Sequence, residues 1–457
     1  MIFEHESNIG APVSDAFSWH CRKGAFERLN PPWERVKVVD QPEGAVENLG
    51  TVRFKIRTGP VWGDWVARHT EFSRGSRFAD VQVAGPFASW RHEHRFAAGP
   101  DGSCILTDHI DYELPVEPLG RWVAGGFVRR KLERMFRYRH RVTKSDLAQH
   151  LRHGAAPLSV AVTGASGVLG SVIVPFLTTG GHRVFRLVRR KPAAPDEIFW
   201  DPASSRIDAA ALEGLDAVLH LAGENIGEGR FTEEKKRRAL SSRVLGTRLM
   251  AETLAKLVRP PRVFISASAV GYYGDRGDDF LDEDAPPGRG FAADLCRAWE
   301  EAAAPARAAG IRTAHLRIGV VLTPAGGALA KLAVPSRLGL GGHMGNGRQF
   351  ISWVSPDDVA GAVLHVMTSP RISGPVNLVA PRAATSRELA AAVARAFRKP
   401  APFSVPAPLL RAAFGELADE VILASARVTP GVLAATGYRY SFPELPSALA
   451  HVLGSGG

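Results

Sequence analysis

The sequence predicts a doubly wound parallel α/β sheet preceded by a separate antiparallel α+β unit, and three observations carry that expectation. Up to about residue 115 the apolar residues tend to recur at every second position. From Leu158 onward, short apolar runs alternate with helical stretches, the rhythm of a parallel sheet covered on both faces. Just past the join, an apolar run opens into a glycine-rich turn and an apolar helix, TGASGVLGSVIVPFL (163–177). At 457 residues the chain exceeds one comfortable core, so two or three domains are expected.

In the first unit, TVRFKIR (51–57) sets Val52, Phe54 and Ile56 on one face and Arg53, Lys55 and Arg57 on the other. That is the pattern of a half-buried antiparallel strand. Similar runs follow at VWGDWVARHTEF, RFADVQV, SWRHEHRF and ILTDHIDYEL, separated by glycine-containing turns such as GPDGS. A short helix is predicted over PVSDAFSWH, and a long one from about Pro118 to His150 closes the unit. The densest basic run, RRKLERMFRYRHR (129–141), carries Leu132, Met135 and Phe136 at helical spacing. It reads as the solvated face of an amphipathic helix, and no nucleic-acid partner is expected despite the net charge of +11. His92 and His94 in SWRHEHRF share a face with Trp90 and Phe96. A His-x-His pair can ligate a metal, but no third ligand is evident nearby. The pair is read as cross-strand or solvent-facing, and no metal site is expected.

This arrangement of a small helix, an antiparallel sheet and a long closing helix resembles the START-like, polyketide cyclase/dehydrase (SRPBCC) helix-grip family over residues 1 to about 150. The resemblance implies a cavity for a lipid-like, polyketide-like or other apolar ligand. Six of the nine tryptophans (Trp19, Trp33, Trp62, Trp65, Trp90, Trp122) lie in this part, where they suit either a pocket lining or a core.

The second unit carries the sharper motif. A buried strand, Leu158 to Val162, runs through Thr163 into Gly164, Ala165, Ser166, Gly167, Val168, Leu169 and Gly170, and then a helix. Glycine is needed at the tight turn, where backbone approaches a pyrophosphate, and where helix packs on strand. The helix N-terminus then offers its free N–H groups to the phosphates. The next strand, HRVFRLVRR, ends in Arg189 and Arg190 where an NAD site would place a carboxylate for the ribose hydroxyls. Two guanidiniums suit a 2′-phosphate, so NADP(H) is expected ahead of NAD(H). Leu221, Ala222 and Gly223, after the apolar strand LDAVLH, would let backbone approach the adenine and ribose.

HLAGENI, SSRVLGTR, SASAVGYYGD, AWEEAA, GNGRQFISWVSPDDVAGAV and GELADEVILASARVTPGVLAATGYRY together are similar to an extended short-chain dehydrogenase/reductase of the atypical "epimerase family" branch. The resemblance covers residues 158–455 almost continuously and implies a Rossmann-type domain with its own C-terminal segment. Active members of the wider superfamily carry Tyr-x-x-x-Lys on the helix after the serine loop, the tyrosine transferring a proton and the lysine lowering its pKa. Here that stretch reads FAADLC. Anchoring on Glu300 of AWEE puts Ala292 and Cys296 at the two positions; anchoring on Glu301 puts Ala293 and Arg297 there. Upstream, the family's Asn-Val-x-Gly-Thr is replaced by Arg243-Val244-Leu245-Gly246-Thr247. Ser268 stands where the substrate-polarising serine is expected, and Tyr272 and Tyr273 on the same loop are the candidates to supply the missing proton donor.

On the substrate side, the resemblance makes Arg348 a candidate anion contact and Trp353 a candidate pocket residue. Asp357 or Asp358 is expected to cap the following helix, and Arg317 to serve structure or the substrate edge. Glu416, Arg427 and Thr429 are expected in a C-terminal segment that packs or forms a lid. The chain is divided into a ligand-binding domain (1–152), a linker (153–157), an NADP-binding domain (158–400) and a C-terminal substrate-side segment (401–457). Three scattered cysteines, Cys21, Cys104 and Cys296, argue against a disulfide framework. MIFEHESNIG lacks a signal-peptide pattern, and no stretch approaches the roughly 18 apolar residues of a membrane span. A cytoplasmic protein is expected, acting on a small-molecule substrate. Two functions fit: an NADP(H)-dependent enzyme with a non-standard proton donor, or a non-catalytic NADP(H)-responsive binding protein.

Overall fold

The computed structural model describes residues 1–115, 119–154, 156–227 and 229–455, apart from the side chains of residues 58 and 119–123. Pro118 lies outside the described residues and Trp122 outside the described side chains. The chain forms two compact units, the first mainly residues 1–154 and the second mainly residues 155–450.

The first unit is a seven-stranded antiparallel sheet with a long helix. Its strands are β1 (Ile2–Asn8), β2 (Val36–Asp40), β3 (Thr51–Thr58), β4 (Val61–Ser73), β5 (Arg77–Ala84), β6 (Ser89–Ala98) and β7 (Cys104–Glu113), in the order β1-β7-β6-β5-β4-β3-β2. Helices α1 (Val13–Cys21) and α2 (Ala25–Leu29) precede β2, and α3 (Leu119–His153) follows β7. Strict alternation on β7 turns Cys104, Leu106, Asp108, Ile110 and Tyr112 inward. The predicted amphipathic helix is present: Leu132 and Phe136 are buried, while Arg129, Arg130, Arg137 and Arg141 are exposed. Arg28 of α2 forks onto Asp146 of α3 at 2.8 and 2.6 Å, both side chains buried. β1 and β2 escaped the sequence reading because IFEHESN buries only Phe3 and VKVVD has no fully buried residue.

The second unit is a parallel sheet covered on both faces. It contains β8 (Ser159–Thr163), α4 (Gly170–Thr179), β9 (Arg183–Val188), β10 (Glu197–Asp201), β11 (Arg206–Ile207), β12 (Ala217–His220), α5 (Glu233–Leu254), β13 (Val263–Ala269) and α6 (Phe291–Glu301). The sheet order is β11-β10-β9-β8-β12-β13, followed by the strands Arg312–Ile318 and Gly374–Leu378. All pairings are parallel except β10 with β11. Val160, Val162, Leu219 and Ile265 pack with Ile173 and Phe176 in one apolar cluster, and Ala161, Val218 and Phe264 with Met250 and Leu254 in another. Strands buried on both faces read as continuous apolar runs, as these do.

The connections run from β8 to β9 on one side and to β12 on the other, so the topological switch lies between β8 and β12. At their carboxyl ends Thr163 Oγ1 stands 2.9 Å from His220 Nδ1 and accepts from the Leu221 and Ala222 N–H groups, each at 3.1 Å. His220 is fully buried, and burial pushes its pKa from 6.5 down to about 4. Unfolding lets the ring protonate below about 6.5, whereas the fold holds it neutral. Its contribution is therefore complete above pH 6.5 and is lost as pH falls toward 4, an effect on the order of 3 kcal/mol. Thermal unfolding followed from pH 7 to 4 is expected to show this loss, and His220→Gln to flatten it.

Candidate functional site

The loop from β8 into α4 is shaped by crowding. Gly164 has φ of +69°, and a Cβ there would lie 3.0 Å from the Ala222 nitrogen. At Gly170 a Cβ would overlap the Gly164 carbonyl and the Ala165 backbone. These two positions demand glycine for the turn and for helix-on-strand packing. Gly167 differs: it is exposed, and a Cβ would meet only the Gly164 oxygen at 3.2 Å. Ser166, Gly167 and Val168 form the exposed rim, Ala165 and Leu169 are half-buried, and α4 begins at Gly170 with its first N–H groups at the crevice. Leu221, Ala222 and Gly223 follow β12 immediately across the switch point. The backbone thus brings together all ten of these predicted positions, and their shape fits a dinucleotide pyrophosphate.

The two arginines after β9 have different fates. Arg190 places its guanidinium on Glu197, 2.8 Å to Oε2 and 2.6 Å to Oε1, and Glu197 is buried. Arg189 is exposed and has no ion pair among the described residues. Arg190 is therefore spent on holding β9 to β10, while Arg189 makes no ion pair among the described residues.

The α6 helix answers which alignment of FAADLC faces the loop after β13. A Cβ on Gly271 would meet the Ala292 Cβ at 3.4 Å and Cys296 Sγ at 3.9 Å, while Arg297 is exposed and paired with Asp294. Ala292 and Cys296 occupy the face toward the loop. The Cys296 thiol points at the Ala269 carbonyl, 3.6 Å away, and burial pushes it up to about 11, so it stays a thiol. Arg243 of α5 is buried, with its guanidinium 4.8 Å from the Trp299 ring centroid of α6 and close against Gly223.

Ser268 and Tyr273 are drawn into a buried polar network that sequence reading missed. Ser268 donates to Glu300 Oε1 at 2.7 Å; Arg317 grips the same carboxylate through Nε at 2.9 Å and Nη2 at 3.0 Å. Arg317 Nη1 donates to the Tyr273 hydroxyl at 2.9 Å, and that hydroxyl stands 2.7 Å from Asn377 Oδ1 and 2.9 Å from the Asp282 carbonyl. Burial opposes the Arg317 charge, but the Glu300 carboxylate outweighs it and holds the guanidinium above its ordinary range. Burial pushes Tyr273 up to about 12 against the pull of Arg317. Its ring is fully buried, and its hydroxyl is engaged by Arg317, Asn377 and the Asp282 carbonyl. Tyr272 is only half-buried; the Arg317 guanidinium lies 3.5 Å over its ring, and among the described residues its hydroxyl makes no hydrogen bond. Of the three hydroxyls, only that of Tyr272 is uncommitted. Arg317 was flagged in the sequence, but its partners lie 17 and 44 residues away, a separation no local pattern reveals.

On the substrate side the predicted residues separate. Arg348 is exposed, with no ion pair among the described residues. Trp353 is 1% exposed and packed in a strand against Val320–Val321, which makes it a core residue. The helix Pro356–Thr368 is capped by Ser355, whose hydroxyl accepts from the Asp358 N–H at 2.9 Å, in place of the expected Asp357 or Asp358. Asp358 instead turns inward, accepting from the Ser441 and Phe442 N–H groups. Burial raises its carboxyl to about 6. Glu416 pairs with Lys236, Arg427 stacks on Phe280 and Phe350, and Thr429 bonds the Leu281 carbonyl, so the C-terminal segment packs onto the sheet's loops.

Three family models match stretches of the chain. The model of the NAD dependent epimerase/dehydratase family matches residues 160–378, that of polyketide cyclase / dehydrase and lipid transport residues 9–137, and a domain of unknown function residues 405–452. An epimerase family protein of Mycobacterium bovis is 39% identical over 292 residues, 64% of this chain and 96% of the relative. The crystal structure of the nucleoside-diphosphate sugar epimerase from Corynebacterium glutamicum is 34% identical, with a TM-score of 0.82 over 99% of this chain and 90% of that one. Human epimerase family protein SDR39U1, solved with NADPH, is 34% identical, with a TM-score of 0.59 over 65% of this chain and 99% of that one. With a doubly wound sheet, a glycine crevice at its switch point and relatives that it covers almost end to end, the chain belongs to the NAD dependent epimerase/dehydratase family, its epimerase part preceded by a domain of the polyketide cyclase / dehydrase type.

Proposed function

We propose that the chain binds NADP(H) in preference to NAD(H) in the crevice between β8 and β12 and uses it in an epimerase- or oxidoreductase-like reaction on a small or nucleotide-linked substrate. The observation that carries this reading is the combination of a glycine loop that leaves backbone bare at Gly167 with an exposed Arg189, unpaired among the described residues, just past β9. The human relative solved with NADPH supports the same preference. The bound dinucleotide would supply hydride exchange. Gly164 to Gly170 would hold its pyrophosphate, Leu221 to Gly223 would line its adenosine half, and Arg189 would meet the 2′-phosphate.

Proton transfer is assigned to Tyr272. Ala292 and Cys296 offer no acid at the helix positions that face the loop, and Ser268 and Tyr273 are held by Glu300, Arg317 and Asn377. Arg243, on a different helix, brings a positive charge within electrostatic reach of Cys296. Arg348 remains the candidate anion contact for substrate. Residues 1–152 are read as the binding domain for an apolar, lipid-like or polyketide-like ligand, 158–400 as the dinucleotide domain and 401–457 as the substrate-side segment. A second reading, a non-catalytic NADP(H)-responsive binding protein, is favoured by the same locked Ser268 and Tyr273 hydroxyls.

Binding titrations with both dinucleotides test the cofactor. NADPH is expected to bind about ten- to a hundredfold more tightly than NADH, the worth of one or two charge-assisted hydrogen bonds. Arg189→Ala should erase that ratio, whereas Arg190→Ala should lower stability, by freeing Glu197, and leave most of the ratio. Equal binding of both dinucleotides by the unaltered chain would refute the assignment.

Turnover is read by hydride exchange between labelled NADPH and a cell extract. Tyr272→Phe is expected to lower it by about 10²–10⁴, with NADPH affinity retained. Tyr273→Phe should lower the unfolding temperature instead. No exchange by the unaltered chain would favour the binding-protein reading.

A further inference from the structure

The first unit holds a polar cluster that the dinucleotide chemistry does not use. In the antiparallel register Asp80 of β5 lies opposite His92 of β6, and His94 of β6 lies opposite Asp108 of β7. Alternation turns these side chains to the same face as the buried Trp90 and Phe96. From α3, His140 reaches that face and brings its Nε2 to 2.6 Å from Asp108 Oδ2. The predicted His-x-His pair is thus buried and cross-strand, not solvent-facing.

Asp108 sits behind the pair. Its Oδ1 lies 2.7 Å from His92 Nε2 and 2.7 Å from His94 Nδ1. Its Oδ2 lies 2.6 Å from His140 Nε2, so three imidazole nitrogens surround this carboxylate. One ring nitrogen of His92 and one of His140 are therefore hydrogen-bonded to Asp108, His94 Nδ1 lies close to it without a hydrogen bond, and each ring keeps its other nitrogen. For His92 that is Nδ1, which stands 3.6 Å from Asp80 Oδ2. The gap is too long for a hydrogen bond, whose N···O distance is about 2.7–3.2 Å. It is close to the roughly 3.4 Å between two ligands that share a tetrahedral ion at about 2.0–2.2 Å. Ligand atoms from Asp80, His92 and His94 all lie within 4.8 Å of one another.

We infer that Asp80, His92 and His94 bind one first-row divalent transition-metal ion, with Asp108 orienting both imidazoles from behind. Two imidazoles and a carboxylate suit Zn²⁺, Co²⁺ or Fe²⁺ better than Mg²⁺ or Ca²⁺. A carboxylate behind ligating histidines fixes their tautomers and raises their basicity. The Phe78 ring 4.3 Å from His94 and the Phe136 ring 5.3 Å from His92 give the ion an apolar surround. Three protein ligands leave at least one position open for water or for an oxygen of a bound molecule.

The test is titration of the tag-free full chain, stripped with a chelator, with Co²⁺ followed by visible absorption, and with Zn²⁺ followed by elemental analysis. One ion per chain is expected. His92→Ala with His94→Ala should abolish uptake, and Asp80→Asn should weaken it at least tenfold. Asp108→Asn should weaken it by about 10–100-fold. His109→Ala, which lies on the opposite face and pairs with Glu4, should change nothing. Thermal unfolding of each variant separates loss of the site from loss of the fold, and Asp80→Asn, the least buried change, tests the site even if the histidine double variant unfolds. No uptake by the unaltered chain, or equal affinity in Asp80→Asn, would overturn the assignment.

Discussion

The second unit depends on how closely backbone crowds backbone at the carboxyl ends of β8 and β12. Gly164 is held at a positive φ within van der Waals distance of Ala222, and Gly170 brings α4 onto the Gly164 carbonyl. Thr163 ties the two strand ends through His220 and two backbone N–H groups. A side chain at Gly164 would collide with the backbone after β12, and one at Gly170 with the turn beneath α4, and these main-chain neighbours cannot turn aside. The site is therefore a by-product of tight packing at the one place where the strand order reverses, which is where α/β sheets offer a crevice.

Around that crevice the chain trades mobile polar groups for fixed ones. Glu300 faces the loop after β13, yet it is saturated by Ser268 and Arg317, and Arg317 in turn fixes Tyr273. A buried carboxylate and guanidinium are costly to desolvate, and only a closed set of hydrogen bonds makes them tolerable. That closure ties down the loop that carries Tyr272 and engages two hydroxyls in fixed hydrogen bonds. The same logic operates beside β9, where Glu197 claims Arg190 and leaves Arg189 outward.

The N-terminal unit shows the other outcome for buried polar groups. Its sheet supplies an apolar face from Trp90, Phe96, Ile110 and Tyr112, interrupted by Asp80, His92, His94 and Asp108. Asp108 lies within 2.7 Å of a nitrogen of each of three histidines.

Both sheets were legible in the sequence, because burying one face or two imposes period two or a continuous apolar run on a strand. The glycine crevice was legible for a similar reason: main-chain crowding admits only one residue type, so it leaves a mark at fixed spacing. The edge strand β1 left none, since an edge buries little. FAADLC announced what α6 does not carry, but not which of its faces meets the loop. What only the tertiary structure decided is the partnership of charged and polar side chains. Ser268 with Glu300, Arg317 with Tyr273, Arg190 with Glu197, and His92 and His140 with Asp108 are pairings that run through space. A hydroxyl or a guanidinium looks the same in sequence whether it is free or spent, because its chemistry is set by the neighbour that burial brings to it.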